Sequence, residues 1–193
     1  MPKRMLVHDA RLGGTSPSIA QNQYEVSASD PTDHIVGWIG YYARSQGGID
    51  ELIVMCHGYA QLADNVAQVT RPDAIGGAGL QLGRDGLTLR NVGLTRDWRK
   101  SDGSAAIQKV YLYACGVSAP SMYNDPFYDG RRFCGEMALH SGAEVYGADV
   151  LQWYTTGSTG VIDFGNWEGR VYRYSPDDGQ PTQVKLARQP LTL

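Results

Sequence analysis

The sequence predicts an α/β fold on a mainly parallel sheet, and three observations point there. Two apolar runs, Leu52-Ile53-Val54-Met55 and Val110-Tyr111-Leu112-Tyr113, lack polar alternation, the pattern of strands buried on both faces. A stretch of helical spacing separates an early strand from the first run, and a strand–helix–strand order favours a right-handed parallel crossover. The chain has 193 residues, 42% apolar and 19% charged, enough for one globular domain with a sizeable core. No internal repeat, linker or second domain interrupts residues 1–193.

Met5–His8 reads as the first strand, with Asp9 at its end. Residues 10–29, rich in Gly, Ser, Ala and Gln, read as a surface loop with a short strand near Tyr24–Val26. Asp30 is placed to cap the helix that follows, Pro31 suits its first position, and Asp33 favours the positive end of its dipole. Ile35, Trp38, Ile39 and Tyr42 make its apolar face, and Gln46-Gly47-Gly48 stops it. After the first apolar run, residues 59–78 read as a loop with a helical turn around Leu62–Val69. Gly76-Gly77-Ala78-Gly79 is no phosphate-binding loop, because no strand precedes it and no Gly-Lys-Ser/Thr follows. Residues 80–83 and 87–89 flank Arg84-Asp85-Gly86 as a small hairpin, and a short helix or turn holds Trp98. The second apolar strand starts near Ile107. A loop over 116–130 leads to a helix, Arg131–Ser141, with Phe133, Met137 and Ala138 inward and Gly142 as its stop. Residues 143–148 are a further strand ending near Asp149. Val161–Phe164 and Gly169–Tyr174 read as closing strands, antiparallel if hairpin-linked, before a turn at Pro176-Asp177-Asp178-Gly179.

Charge and cysteine usage exclude several functions. A net charge of −3 argues against a general nucleic-acid binder, and the cluster Arg96–Lys100 is too short to change that. Cys56, Cys115 and Cys134 are odd in number and contain no Cys-x-x-Cys, so neither a disulfide framework nor a thiolate zinc site is expected. No run reaches the ~18 apolar residues of a membrane span. The apolar stretch at Met5–Val7 is too short for a signal peptide. The expectation is a cytoplasmic protein, or one exported without a cleaved signal, that engages no membrane.

The two apolar strands end alike, in His57-Gly58 and in Cys115-Gly116. Open α/β sheets present their reactive groups at such ends. If the strands are parallel neighbours, the imidazole and the thiol emerge at one edge. A thiol with its ordinary pKa near ~8.5 is mostly protonated at neutral pH, and a neighbouring imidazole can take that proton and later protonate a leaving amine. The oxyanion formed by attack on a carbonyl needs donors already in place, and the backbone N–H groups of Gly58 and Cys115 are the candidates. Each residue has a plainer alternative, a satisfied core histidine or an inert buried thiol. Cys56 faces the opposite side of its strand from His57 and is expected to pack, as is Cys134. His8, His34 and His140 lack metal-ligand spacing, and Ser118 lacks a Gly-x-Ser-x-Gly elbow. Tyr123, Phe127, Tyr128, Trp153 and Tyr154 either line a cleft or cover the core.

His-Gly after one core strand and Ala114-Cys115-Gly116 after the next resemble the caspase-like superfamily of clan CD cysteine peptidases, most nearly its bacterial CHAT-type and related stand-alone domains. The caspase signature Gln-Ala-Cys-(Arg/Gln/Gly)-Gly is met at residues 114–116 only, with Tyr113 in place of Gln and Val117 in place of the last Gly. Its histidine stands ~50 residues upstream of the cysteine, comparable to the interval between 57 and 115 here. The likeness runs from about Met5 to Tyr174. It implies a three-layer αβα sandwich and a cysteine endopeptidase with a His57–Cys115 dyad, acting on a protein or peptide with no metal or cofactor. It implies a substrate pocket near the sheet edge, where relatives that cut after Arg or Lys hold carboxylates; Asp149 and Asp9 match by position. The rival expectation is a catalytically silent domain of this fold that binds a protein partner, and an enzyme of this kind can also need an activating partner.

Overall fold

The computed structural model describes residues 2–59, 79–121 and 128–186. The helical turn expected at Leu62–Val69, the loop glycines Gly76 and Gly77, and the aromatics Tyr123 and Phe127 lie outside them. In chain order the elements are β1 (Arg4–Asp9), β2 (Asn22–Val26), α1 (Thr32–Ser45), β3 (Ile49–Met55), β4 (His57–Gly58), β5 (Gly79–Gln81) and β6 (Leu87–Thr88). There follow a 3-10 helix (Val92–Trp98), β7 (Ile107–Tyr113), α2 (Gly130–Ser141), β8 (Glu144–Ala148), β9 (Val171–Tyr174) and β10 (Pro181–Val184).

Seven strands form one sheet in the order β10-β9-β8-β7-β3-β1-β2. The five from β8 to β2 are parallel, and β9 and β10 extend the sheet in antiparallel fashion. The protein is therefore an α/β protein with a mostly parallel seven-stranded sheet, an arrangement compatible with an αβα sandwich. Strand pleating sorts the side chains to two faces. Met5, Val7, Leu52, Val54, Val110, Leu112 and Val145 meet Ile35, Val36 and Ile39 of α1 and Phe133 and Met137 of α2. Leu6, Ile53, Met55, Tyr111, Tyr113 and Tyr146 pack on the other face against Leu12, Ile19, Ile162 and Phe164 from extended segments. Among the described residues both α-helices thus lie on one face. None of the described helices is long and apolar enough to cross a membrane.

Four expectations are corrected. Asp30 does not cap α1: its carboxylate accepts from the Ser27 N–H at 2.6 Å, a tight turn before the helix, and Pro31 stands at the cap position without a side-chain bond. Trp38 is not in the core but 39% exposed, stacked on Tyr41, because Val36, Ile39, Gly40 and Ala43 form the buried stripe. Val161–Phe164 is no strand; it makes only the bridges Thr15–Val161 and Thr155–Asp163. β9 consequently pairs with β8 and β10, not with that segment. The expected α2 begins one residue early, and Asp129 caps it through bonds from the N–H groups of Arg131 and Arg132.

The 3-10 helix packs against both α1 and α2, and its Trp98, 1% exposed, donates its indole N–H to the Val36 carbonyl at 3.0 Å. Trp98→Ala is expected to destabilise the fold by ~3–5 kcal/mol through the cavity it leaves. Trp98→Phe, which keeps most of the packing, is expected to cost roughly 1.5 kcal/mol for the lost bond. Urea unfolding of the two variants checks this ordering.

Candidate active site

The site begins with a register. β3 and β7 are adjacent and parallel, with Met55 opposite Tyr113. The Cys56 N–H donates to the Tyr113 carbonyl at 3.2 Å, so the two chains leave the sheet level with each other. His57 and Cys115 each follow two residues later and line one cavity of about 280 Å³. The expected juxtaposition of the two residues is thus present.

Beyond the sheet the two chains diverge. The His57 chain turns into β4, which pairs with β5 (His57 opposite Gln81) in a small second sheet with β6. This uses the predicted hairpin as a support, a role its sequence does not display. The Cys115 chain turns through Gly116, whose φ of +56° is open mainly to glycine. That turn is held by bonds from the Gly116 N–H to the Val150 carbonyl at 2.9 Å and from the Ser118 N–H to the Ala148 carbonyl at 3.0 Å. Gly58 presses against the backbone of Cys115: a Cβ built there would collide with the Cys115 carbonyl oxygen and lie 2.9 Å from its nitrogen. The His-Gly and Cys-Gly pairs therefore need their glycines for different reasons, close approach at 58 and a left-handed turn at 116.

His57 is half-buried, and its Nε2 lies 3.3 Å from the Arg11 carbonyl oxygen. With the Nε2 proton donated there, Nδ1 carries the basic lone pair. Arg11 was not among the expected site residues. It is held by Asp9 through Nε at 2.8 Å and a terminal nitrogen at 2.6 Å, and it donates further to the carbonyls of Gln81 and Gly83. The Asp9 carboxylate, fully buried, also accepts the N–H groups of Arg11 and Gly83. Asp9 therefore braces the end of β1 against the β5–β6 hairpin and does not line the cavity. Asp149, 8% exposed, is engaged in the same way by the Arg170 backbone and guanidinium at 2.9 and 2.8 Å, and it too lies outside the lining. The structure brings together His57, Gly58 and Cys115, but not the two carboxylates.

The Cys115 S–H lies 3.8 Å from the Gln152 carbonyl, and no hydrogen bond joins it to His57 among the described residues. Burial pushes the thiol above its ordinary range; backbone N–H groups of Gln152, Gly58 and Cys115 favour the thiolate, and the charge of Glu168 opposes it. Burial raises Cys56 and Cys134 further, and both belong to the core on the helical face, as their sequence positions predict, although Cys56 also borders the cavity. His8 is buried between the Leu12 carbonyl and Ser16, His34 is exposed, His140 accepts from Arg96, and Ser118 bonds Tyr174. Trp153 and Tyr154 do line the cavity, together with Leu12, Leu151 and Phe164, which sequence reasoning missed because they come from irregular segments.

The chain matches no known family model, no curated protein and no solved structure.

A thiol raised by burial reacts as its thiolate fraction grows. Iodoacetamide labelling of Cys115 is therefore expected to rise with pH to a midpoint above that of a free thiol. Cys115 is nonetheless expected to label faster than Cys56 or Cys134, both of which are more deeply buried. Peptide mapping by mass spectrometry across a pH series reads both quantities.

Proposed function

We propose that this protein is a caspase-like cysteine endopeptidase, with Cys115 as nucleophile and His57 as general base and acid. One observation carries the reading: the β3–β7 register brings an imidazole and a half-buried thiol to one cavity, with Gly58 packed against the backbone of Cys115. The parallel sheet with His57 and Cys115 on neighbouring strand ends is compatible with the caspase-like fold that the sequence resembles.

The raised thiol argues for base-assisted attack over a standing thiolate. As a peptide carbonyl enters, His57 Nδ1 takes the Cys115 proton while the sulfur bonds to the carbonyl carbon. The N–H groups of Gly58 and Cys115 receive the oxyanion. His57 returns the proton to the departing amine and the C–N bond breaks, leaving a thioester on Cys115. Water, deprotonated by His57, then releases the acid and restores the thiol. The Arg11 carbonyl orients the imidazole throughout, the part of the third group that holds a base in place.

A specific observation favours a second reading, a silent member of the fold that binds a protein partner: His57 and Cys115 share no hydrogen bond, and the thiol is protonated at rest. Turnover of a peptide library separates the two. On the enzyme reading, Cys115→Ala abolishes cleavage and His57→Ala lowers kcat by ~10²–10⁴-fold, with both variants as folded as the parent by circular dichroism. Cleavage that survives Cys115→Ala would refute the assignment.

A further inference from the structure

We infer that the cavity beside Cys115 is the pocket for the residue preceding the cut, and that it takes a bulky apolar side chain such as leucine, methionine or phenylalanine. This inference rests on the peptidase reading above and specifies its substrate class.

The walls are Leu12, Ala114, Leu151, Trp153, Tyr154 and Phe164, and the lining holds no Asp, Glu, Lys or Arg among the described residues. The polar side chain there, Gln152, is 4% exposed and already fully engaged. Its Nε2 reaches the carbonyls of Val150, Leu151 and Glu168 at 3.1–3.3 Å, and its Oε1 accepts the Glu168 N–H at 3.3 Å. A lysine, arginine or aspartate entering the cavity would lose its water and meet no oppositely charged side chain in the lining among the described residues, which is costly. An apolar side chain gains from the same burial. The volume, about 280 Å³, lies at the foot of the ~300–1,000 Å³ range of drug-sized ligand sites, so it suits one side chain. Trp153 is 70% exposed at this cavity, a large apolar surface left uncovered where an incoming peptide would lie.

The contrary feature is Glu168. Its Oε2 is buried without a hydrogen-bond partner, and its charge reaches the Cys115 thiol. Its backbone N–H bonds Gln152 Oε1, and the residue is absent from the cavity lining.

The test uses the full chain and one peptide sequence carried by acyloxymethyl ketones whose terminal residue is Leu, Phe, Arg, Lys or Asp. In each, the thiol loses its proton, its sulfur bonds the ketone methylene, and the carboxylate leaves. Second-order rates of Cys115 modification are read by intact mass. Leu and Phe are expected to exceed Arg, Lys and Asp by about 100-fold or more. Leu151→Glu is expected to narrow the gap to Lys and Arg by at least about tenfold; an unchanged preference in that folded variant would remove the cavity from the assignment. Preference for Arg or Lys that collapses in Glu168→Gln would overturn the inference, make Glu168 the specificity carboxylate, and leave the peptidase reading intact. Preference for Asp would also overturn it. If no ketone modifies Cys115, the peptidase reading falls and the inference with it.

Discussion

The site depends on the pairing of β3 with β7. Met55 opposite Tyr113 means that two unrelated chain segments, 58 residues apart from His57 to Cys115, leave the sheet at one level. A slip of one residue would send each strand's core-facing set to the opposite face. Here that would exchange Val54 and Leu112, packed under the helices, with Met55 and Tyr113, packed under the extended segments. The two-sided burial that makes these strands apolar is what fixes the register, and the register places the two reactive groups.

Beyond the strand ends the two groups are held differently. Cys115 is anchored by the end of β8, through Gly116 and Ser118, and is pressed from the other side by Gly58. His57 is oriented by a single carbonyl, that of Arg11, whose side chain is locked by the buried Asp9 and the β5–β6 hairpin. A buried carboxylate paired with arginine and bonded by two backbone N–H groups is a rigid support. It serves better as a brace than as a substrate contact. On the proposed mechanism this division has a consequence: the nucleophile rests as a thiol in an apolar cavity, and the imidazole acts only when a carbonyl arrives.

Much of this was legible in the sequence, because burial on two faces leaves a continuous apolar run and strand ends leave a short motif. The placing of His57 and Cys115 just past neighbouring strand ends, the burial of Cys56 and Cys134 and the helix Gly130–Ser141 follow from such local patterns. Trp38 misled because its spacing fits an apolar face, while Gly40 and Ala43, small enough for close packing, take the buried side. Asp9 and Asp149 misled because position at a strand end does not reveal which neighbour already holds a carboxylate; Arg11 and Arg170 do so from two and 21 residues away. Arg11 acts through its carbonyl, which every residue has, so its type carries no signal. Its place after β1, next to β3 in the sheet, was the available clue.

The central claim is that Cys115 forms a covalent acyl intermediate with help from His57. Rapid acid quenching of the protein during turnover of an activated peptide ester, followed by peptide mapping, tests it directly. The account predicts the peptide's acyl group on Cys115, accumulating more slowly in His57→Ala and absent in Cys115→Ala. An acyl group on any other residue, or ester turnover at an equal rate in Cys115→Ala, would contradict it.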